Sequence, residues 1–244
     1  MKIEKFKKLK SGMYELQLEN YDKLFTYEEV ILKYELLLKK TITDSLMNKI
    51  LDDNKYYDCY YKALNIIKRS SKTRYELFIK LKEEYSEDIV NKVINELEKQ
   101  NYINDRIYAN SYLNLEINTT YHGPYRIRRD MENKGIDDSI INEVMISYTD
   151  EIQEEKLKKI ITKKINSNHN KSNVFLIRKL KNELKMDGFN LNIVDSILSD
   201  IKIKDDSSIR EKEYQKLKKK LEKKYSGSEL EYKIKEKMIQ KGFY

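Results

Sequence analysis

Three stretches of this chain repeat one pattern. KGIDDSII, DGFNLNIV and KGFY set Gly135, Gly188 and Gly242 at spacings of 53 and 54 residues. A recurrence at this period marks an array of small stacked units rather than one large core. Apolar residues stand eight and four positions before each glycine: Ile127 and Met131, Leu180 and Leu184, Ile234 and Met238. That spacing places each pair on one face of a helix. The glycine is the left-handed residue that ends the helix, and an apolar residue follows it: Ile136, Phe189 or Phe243. TRYELFIKLKEEYSEDIVNKVINEL, residues 73–97, repeats the theme without the glycine. There Leu77 and Leu81 form the apolar pair, the turn is one residue shorter, and Tyr85 takes the place of Ile136.

A further amphipathic helix follows each complete turn, with apolar positions such as Val90, Val93, Ile94 and Leu97, or Val194, Ile197 and Leu198. Another helix precedes it, as in residues 105–118, for which Asp105 is the expected N-cap. The predicted unit is therefore three helices. The predicted domains are residues 58–104, 105–149, 150–204 and 205–244. The fourth is expected to hold two helices, and Phe243 and Tyr244 would leave an apolar edge there unless more chain follows or a partner covers it. Residues 1–57 read differently. KIEKFKKLK, MYELQLEN and YDKLFTY alternate as short strands, with turns at Ser11-Gly12 and Asn20-Tyr21-Asp22. TYEEVILKYELLLKK reads as one helix, followed by another over residues 43–52 capped by Thr43. The predicted class is mainly α: tandem three-helix repeats in a curved elongated array, with a small N-terminal α+β extension.

Composition agrees, with 37% charged residues, six glycines and one proline. A single cysteine, Cys59, allows no internal disulfide and suits a small buried residue. No apolar run reaches the roughly 20 residues needed to span a bilayer, so a soluble cytoplasmic monomer is expected. His122 and His169 are isolated and read as surface or turn residues. Zinc-protease, paired-cysteine and phosphate-loop motifs are all missing. No metal, cofactor or catalysis is expected.

Charge is the remaining signal. The net charge is +8, with residues 150–204 and 205–244 each at +4 and residues 105–149 at −2. Yet HGPYRIRRDMENKGID, inside that acidic segment, holds Arg126, Arg128 and Arg129, three of only eight arginines. On a helix starting at Pro124, Ile127 and Met131 face inward and the three arginines spread over an outward arc. Guanidinium forks, free N–H groups at the helix start and close approach at Gly123 would suit phosphate or an acidic partner. The alternative is a solvated face neutralised by Asp130 and Glu132. Comparable basic residues are Arg69, Lys72 and Arg74 in the first unit, Arg178 and Lys179 in the third, and Lys233, Lys235 and Lys237 in the fourth. Stacking would align them into a stripe able to follow a nucleic-acid backbone. Tyr121 and Tyr125 could stack on bases or pack at the rim.

ALNIIKRSSKTRYELFIKL, then VINELEKQNYINDRIYANSYL, then GPYRIRRDMENKGIDDSIINEV resembles the RecX regulatory proteins closely over residues 58–149, and more weakly to the end. The resemblance implies a protein that lodges in the groove of the RecA recombinase filament on single-stranded DNA. It would inhibit ATPase and strand exchange, and so modulate recombination, repair and the SOS response. It also implies contact residues: Arg69, Lys72, Arg74, Arg126, Arg128, Arg129 and Lys134, followed by Arg178 and Lys179. Replacing Arg126, Arg128 and Arg129 together by alanine is then expected to abolish inhibition without altering the fold. The competing reading is a helical-repeat module that binds DNA or RNA directly.

Overall fold

A computed structural model describes residues 1–20, 22–201 and 205–243. The chain divides into two units, Met1–Tyr108 and Ala109–Tyr244. The first begins with an antiparallel meander of β1 (Ile3–Lys8), β2 (Tyr14–Leu18) and β3 (Lys23–Thr26), in that order. Phe6 pairs with Leu16, and Leu16 with Leu24. Alternation buries Leu16, Leu18 and Leu24 on one face with Ile3. The expected turn at Ser11-Gly12 forms, with Gly12 at φ +89°. The second expected turn includes Tyr21, which lies outside the described residues.

The sheet packs on α1 (Glu28–Lys33) and α2 (Leu36–Lys39), through Val30, Ile31 and Leu36. A single helix was predicted here. The chain instead breaks at Glu35, which takes a left-handed φ of +53°. The break turns Leu36 fully into the core and leaves Leu37 and Leu38 exposed. α3 (Asp44–Arg69) starts as predicted at Thr43, whose hydroxyl accepts the Leu46 N–H. It does not stop at residue 52 or at the predicted border between 57 and 58. One helix serves two cores. Ile50 packs with the sheet, whereas Cys59 and Ala63 pack with α4 (Arg74–Lys82) and α5 (Glu87–Lys99).

Cys59 is fully buried, and that burial pushes its thiol up to about 11. Alkylation by iodoacetamide at neutral pH is therefore expected to run on the order of a hundredfold slower in the native protein than in denaturant, because the thiolate is the nucleophile. Equal rates in the two states would show that the α3 core opens freely. α4 begins with a complete capping box between Thr73 and Glu76. Its glycine-free turn closes with the Tyr85 N–H on the Leu81 carbonyl, at 3.0 Å.

The second unit contains most of α6 (Asp105–Thr119), followed by α7 (Pro124–Asn133), α8 (Asp138–Met145), α9 (Asp150–Asn166), α10 (Asn173–Met186), α11 (Leu191–Asp200), α12 (Ser207–Leu221) and α13 (Gly227–Gln240). The glycine pattern maps onto α7, α10 and α13. Ile127, Met131, Leu180, Leu184, Ile234 and Met238 are all buried. Gly135, Gly188 and Gly242 take φ of +70°, +83° and +86°. After each, the apolar residue's N–H returns to the carbonyl five residues back: Ile136 to Met131, Phe189 to Leu184, Phe243 to Met238. This is the Schellman arrangement, and it satisfies carbonyls the helix end would otherwise strand.

Loop α6–α7 is fixed by a polar knot. His122 Nδ1 lies 2.7 Å from the buried Glu116 carboxylate, which also accepts from Thr120 Oγ1 at 2.8 Å. Lys156 Nζ donates to the Glu116 and His122 carbonyls at 3.0 and 3.1 Å, and burial pulls its ammonium below the ordinary lysine range. His122 is thus a structural loop residue whose partners sequence reading did not supply.

Candidate partner-binding surface

The predicted contact residues divide according to whether the fold already uses them. At the start of α7 the backbone N–H groups are taken. Gly123 N–H donates to the Asp187 carbonyl at 2.7 Å, and Tyr125 N–H to the Gly188 carbonyl at 3.0 Å. A Cβ on Gly123 would stand 2.5 Å from the Gly188 carbonyl carbon and oxygen. Gly123 is therefore a glycine because the turn after α10 packs against it, not because a phosphate approaches. Arg126 reaches into the same contact, with Nη1 3.2 Å from the Asp187 carboxylate. Arg128 is hydrogen-bonded to Asn142 on α8 and lies 3.6 Å from Glu132. The outward arc of three arginines thus shrinks to one. Arg129 is exposed and has no ion pair among the described residues.

The same construction appears at α10. Ser172 caps the helix by accepting the Phe175 N–H, while its own N–H donates to the Lys241 carbonyl in the turn after α13. The next N–H, of Asn173, donates to the Asp206 carboxylate at 2.7 Å. At α4 the Arg74 N–H donates to the Asp105 carboxylate at 2.8 Å. Asp105 is therefore not the cap of α6. Asn104 does that work, its side chain accepting the Ile107 N–H. Asp105 instead ties the start of α6 to the start of α4, and burial holds its carboxyl above the usual range. The Arg74 guanidinium is bound to Asn95 and Glu98 of α5.

Lys134 caps the end of α7 with its ammonium 5.6 Å from the Tyr112 ring centre. Lys179 makes an exposed 3.5 Å pair with Glu183, a type of contact worth little in water. Arg178 is exposed, with its guanidinium 5.8 Å over the Phe175 ring and no ion pair among the described residues.

Arg69 and Lys72 come together in the first unit. A groove of about 960 Å³ runs between the Ser11–Gly12 turn and the α3–α4 region. On one wall Asp58 accepts hydrogen bonds from the Tyr27 and Tyr85 hydroxyls at 2.9 and 2.6 Å. Lys62 is paired with Glu84. Arg69, Lys72 and Lys80 line the same groove without an ion partner among the described residues. Such a surface offers three cationic donors beside hydroxyls, which is the chemistry of phosphate or carboxylate recognition. Sequence reading missed Lys80, because an exposed lysine on a lysine-rich helix carries no distinguishing signal. No group of three or more potential metal ligands occurs among the described residues, and none of their helices is long and apolar enough to cross a membrane.

Family models for the first and second three-helix domains of RecX match residues 59–97 and 104–145. A regulatory protein RecX from Bacillus cereus is 31% identical over 230 residues, covering 90% of this chain and 83% of that protein. The chain belongs to the RecX family. A RecX protein from Clostridioides difficile is 28% identical over 180 residues, covering 73% of this chain and 85% of its own. Among solved structures, a regulatory protein RecX superposes with a TM-score of 0.71 at 26% identity, over 82% of this chain and all of the other. RecX from Lactobacillus salivarius gives a TM-score of 0.57 at 34% identity, over 60% and 96% of the two chains. The first matched domain takes in the second half of α3 with α4 and α5, and the second takes in α6, α7 and α8.

Proposed function

We propose that this RecX-family chain binds the RecA filament on single-stranded DNA and restrains its ATPase and strand exchange without chemistry of its own. The observation that carries this reading is the likeness to regulatory RecX proteins over nine-tenths of the chain. In support, four of the predicted contact residues, Arg69, Lys72, Arg129 and Arg178, keep charges that no ion pair among the described residues uses. Those charges suit the polyanionic surface of a nucleoprotein filament. Arg74, Arg126 and Arg128 serve mainly to hold neighbouring helices. The decisive experiment titrates the protein into RecA hydrolysing ATP on single-stranded DNA. Inhibition saturating near one chain per few RecA protomers is expected, and unchanged hydrolysis at tenfold molar excess would sink the proposal. Tight binding to bare single-stranded DNA with a steep loss on raising salt, and no effect on RecA, would establish the direct nucleic-acid reading instead.

A further inference from the structure

The sheet has two outer edges, on β1 and β3, and they are treated differently. On β3 the Phe25 carbonyl is taken by the Asn54 side-chain amide of α3, at 2.8 Å. On β1 cover reaches only the first residues. Lys2 bridges Thr41, and the Ile3 N–H donates to the Lys40 carbonyl at 2.8 Å. Beyond Ile3 no backbone group among the described residues bonds to the outer side of β1. Alternation fixes which groups are left there. The Leu9 N–H donates to the Met13 carbonyl at 2.8 Å, and in the same register Lys7 pairs with Glu15 and Lys5 with Gln17. The backbone groups of Lys5, Lys7 and Leu9 therefore face β2. Those of Phe6 and Lys8 face outward, and each residue offers one N–H and one C=O.

The side chains around that edge are mostly basic. A groove of about 620 Å³ lies against it, lined by Lys2, Ile3, Glu4, Lys5, Phe6 and Lys40. Ile3 and Phe6 give their side chains to the sheet core, so the groove offers backbone and charge rather than an apolar seat. Lys2, Lys5 and Lys40 are exposed and have no ion partner among the described residues. Lys7 on the strand and Lys10 in the turn after it are likewise exposed and unpaired. Only Lys8 is engaged, 3.2 Å from Glu28. Against these charges the groove lining sets a single carboxylate, Glu4.

We propose that the open edge of β1 takes up an acidic, extended segment of a partner protein as an added strand. Such a strand presents N–H and C=O groups in alternation, which is what Phe6 and Lys8 leave unpaired. Its carboxylates would lie among Lys2, Lys5, Lys7 and Lys40. A nucleic-acid backbone fits less well, because phosphate oxygens only accept hydrogen bonds and give nothing to the two carbonyls. A second copy of this chain, joined edge to edge, would bring its own Lys5 and Lys7 against these, which is how edge lysines prevent aggregation. The proposal stands apart from the groove at Arg69 and Lys72 and from any action on RecA.

The test uses the full chain and a short fluorescein-labelled peptide of alternating glutamate and valine, in which valine favours the extended state. Saturable anisotropy is expected. Lys5→Glu with Lys7→Glu should weaken binding about tenfold or more, and a peptide with lysine in place of glutamate should then prefer that variant to the native chain. Both lysines are exposed and unpaired, so the variant is expected to melt as the native chain does. Methylating every backbone N–H of the acidic peptide keeps its charge and removes its donors, and should also weaken binding about tenfold or more. That measurement is made on the native chain and does not depend on the variant's folding. Absence of saturation, binding indifferent to the two substitutions, or equal binding of the methylated peptide would overturn the proposal. So would displacement of the peptide by stoichiometric single-stranded oligothymidylate, since that result would give these lysines to a nucleic acid.

Discussion

Gly188→Ala is expected to lower the melting temperature by about 10 °C, through two costs that add. The residue sits at φ +83°, where a β-carbon costs roughly 1–2 kcal/mol. That carbon would also stand 2.3 Å from the Arg126 amide nitrogen and 2.7 Å from its Cβ. Neither atom can swing aside, because both belong to the first turn of α7. Overpacking of this kind costs about 1–3 kcal/mol, which brings the sum to roughly 3 kcal/mol; at about 2–4 °C per kcal/mol that is the stated shift. Gly227→Ala is the matched control. Gly227 also has a positive φ, +56°, but nothing lies within 4 Å of a Cβ there. The difference between the two variants isolates the packing of the α10 turn on the α7 start. Circular-dichroism melts placing both variants within 2 °C of each other would mean that this contact contributes nothing.

That contact also marks where sequence reading stopped. Every helix end that depends on a left-handed glycine was legible, because a glycine after two apolar residues at helical spacing has one common cause. The six buried residues before the three glycines followed from the same pattern. The absence of a side chain at Gly123 was equally visible, but not what came close to it. The neighbour is backbone 65 residues away, and sequence spacing says nothing of such a distance. Arg126 was unexplained for the same reason, its partner Asp187 being 61 residues on. The break at Glu35 had no glycine or proline to announce it. The predicted end of the helix after Thr43 failed because α3 turns different faces to two cores, so no single apolar stripe runs through its 26 residues. The family resemblance was read over residues 58–149 and lies where the domain models match. It could not separate arginines that hold helices from arginines left for a partner.

That separation sets the second large effect. Arg69→Glu with Lys72→Glu is expected to raise the concentration needed for half-inhibition of RecA about a hundredfold, while the melting temperature stays within about 2 °C. Both side chains line the 960 Å³ groove, and neither has an ion partner to lose on replacement. A charge-assisted hydrogen bond contributes about 1.5 kcal/mol or more, close to tenfold per residue, and reversal adds repulsion to the loss. Arg126→Ala should do the opposite. It breaks the 3.2 Å pair with Asp187 and should cost about 1 kcal/mol of stability, seen as a lower melting temperature, with inhibition by the folded protein nearly unchanged. The joint alanine replacement of Arg126, Arg128 and Arg129 therefore mixes two effects, and Arg129→Glu alone is the cleaner probe of the second unit. If Arg69→Glu with Lys72→Glu inhibits as the native chain does, the groove is not a contact surface for the filament. If Arg126→Ala melts normally but fails to inhibit, its guanidinium leaves Asp187 to meet the partner, and the division between structural and free arginines drawn from the ion pairs is wrong.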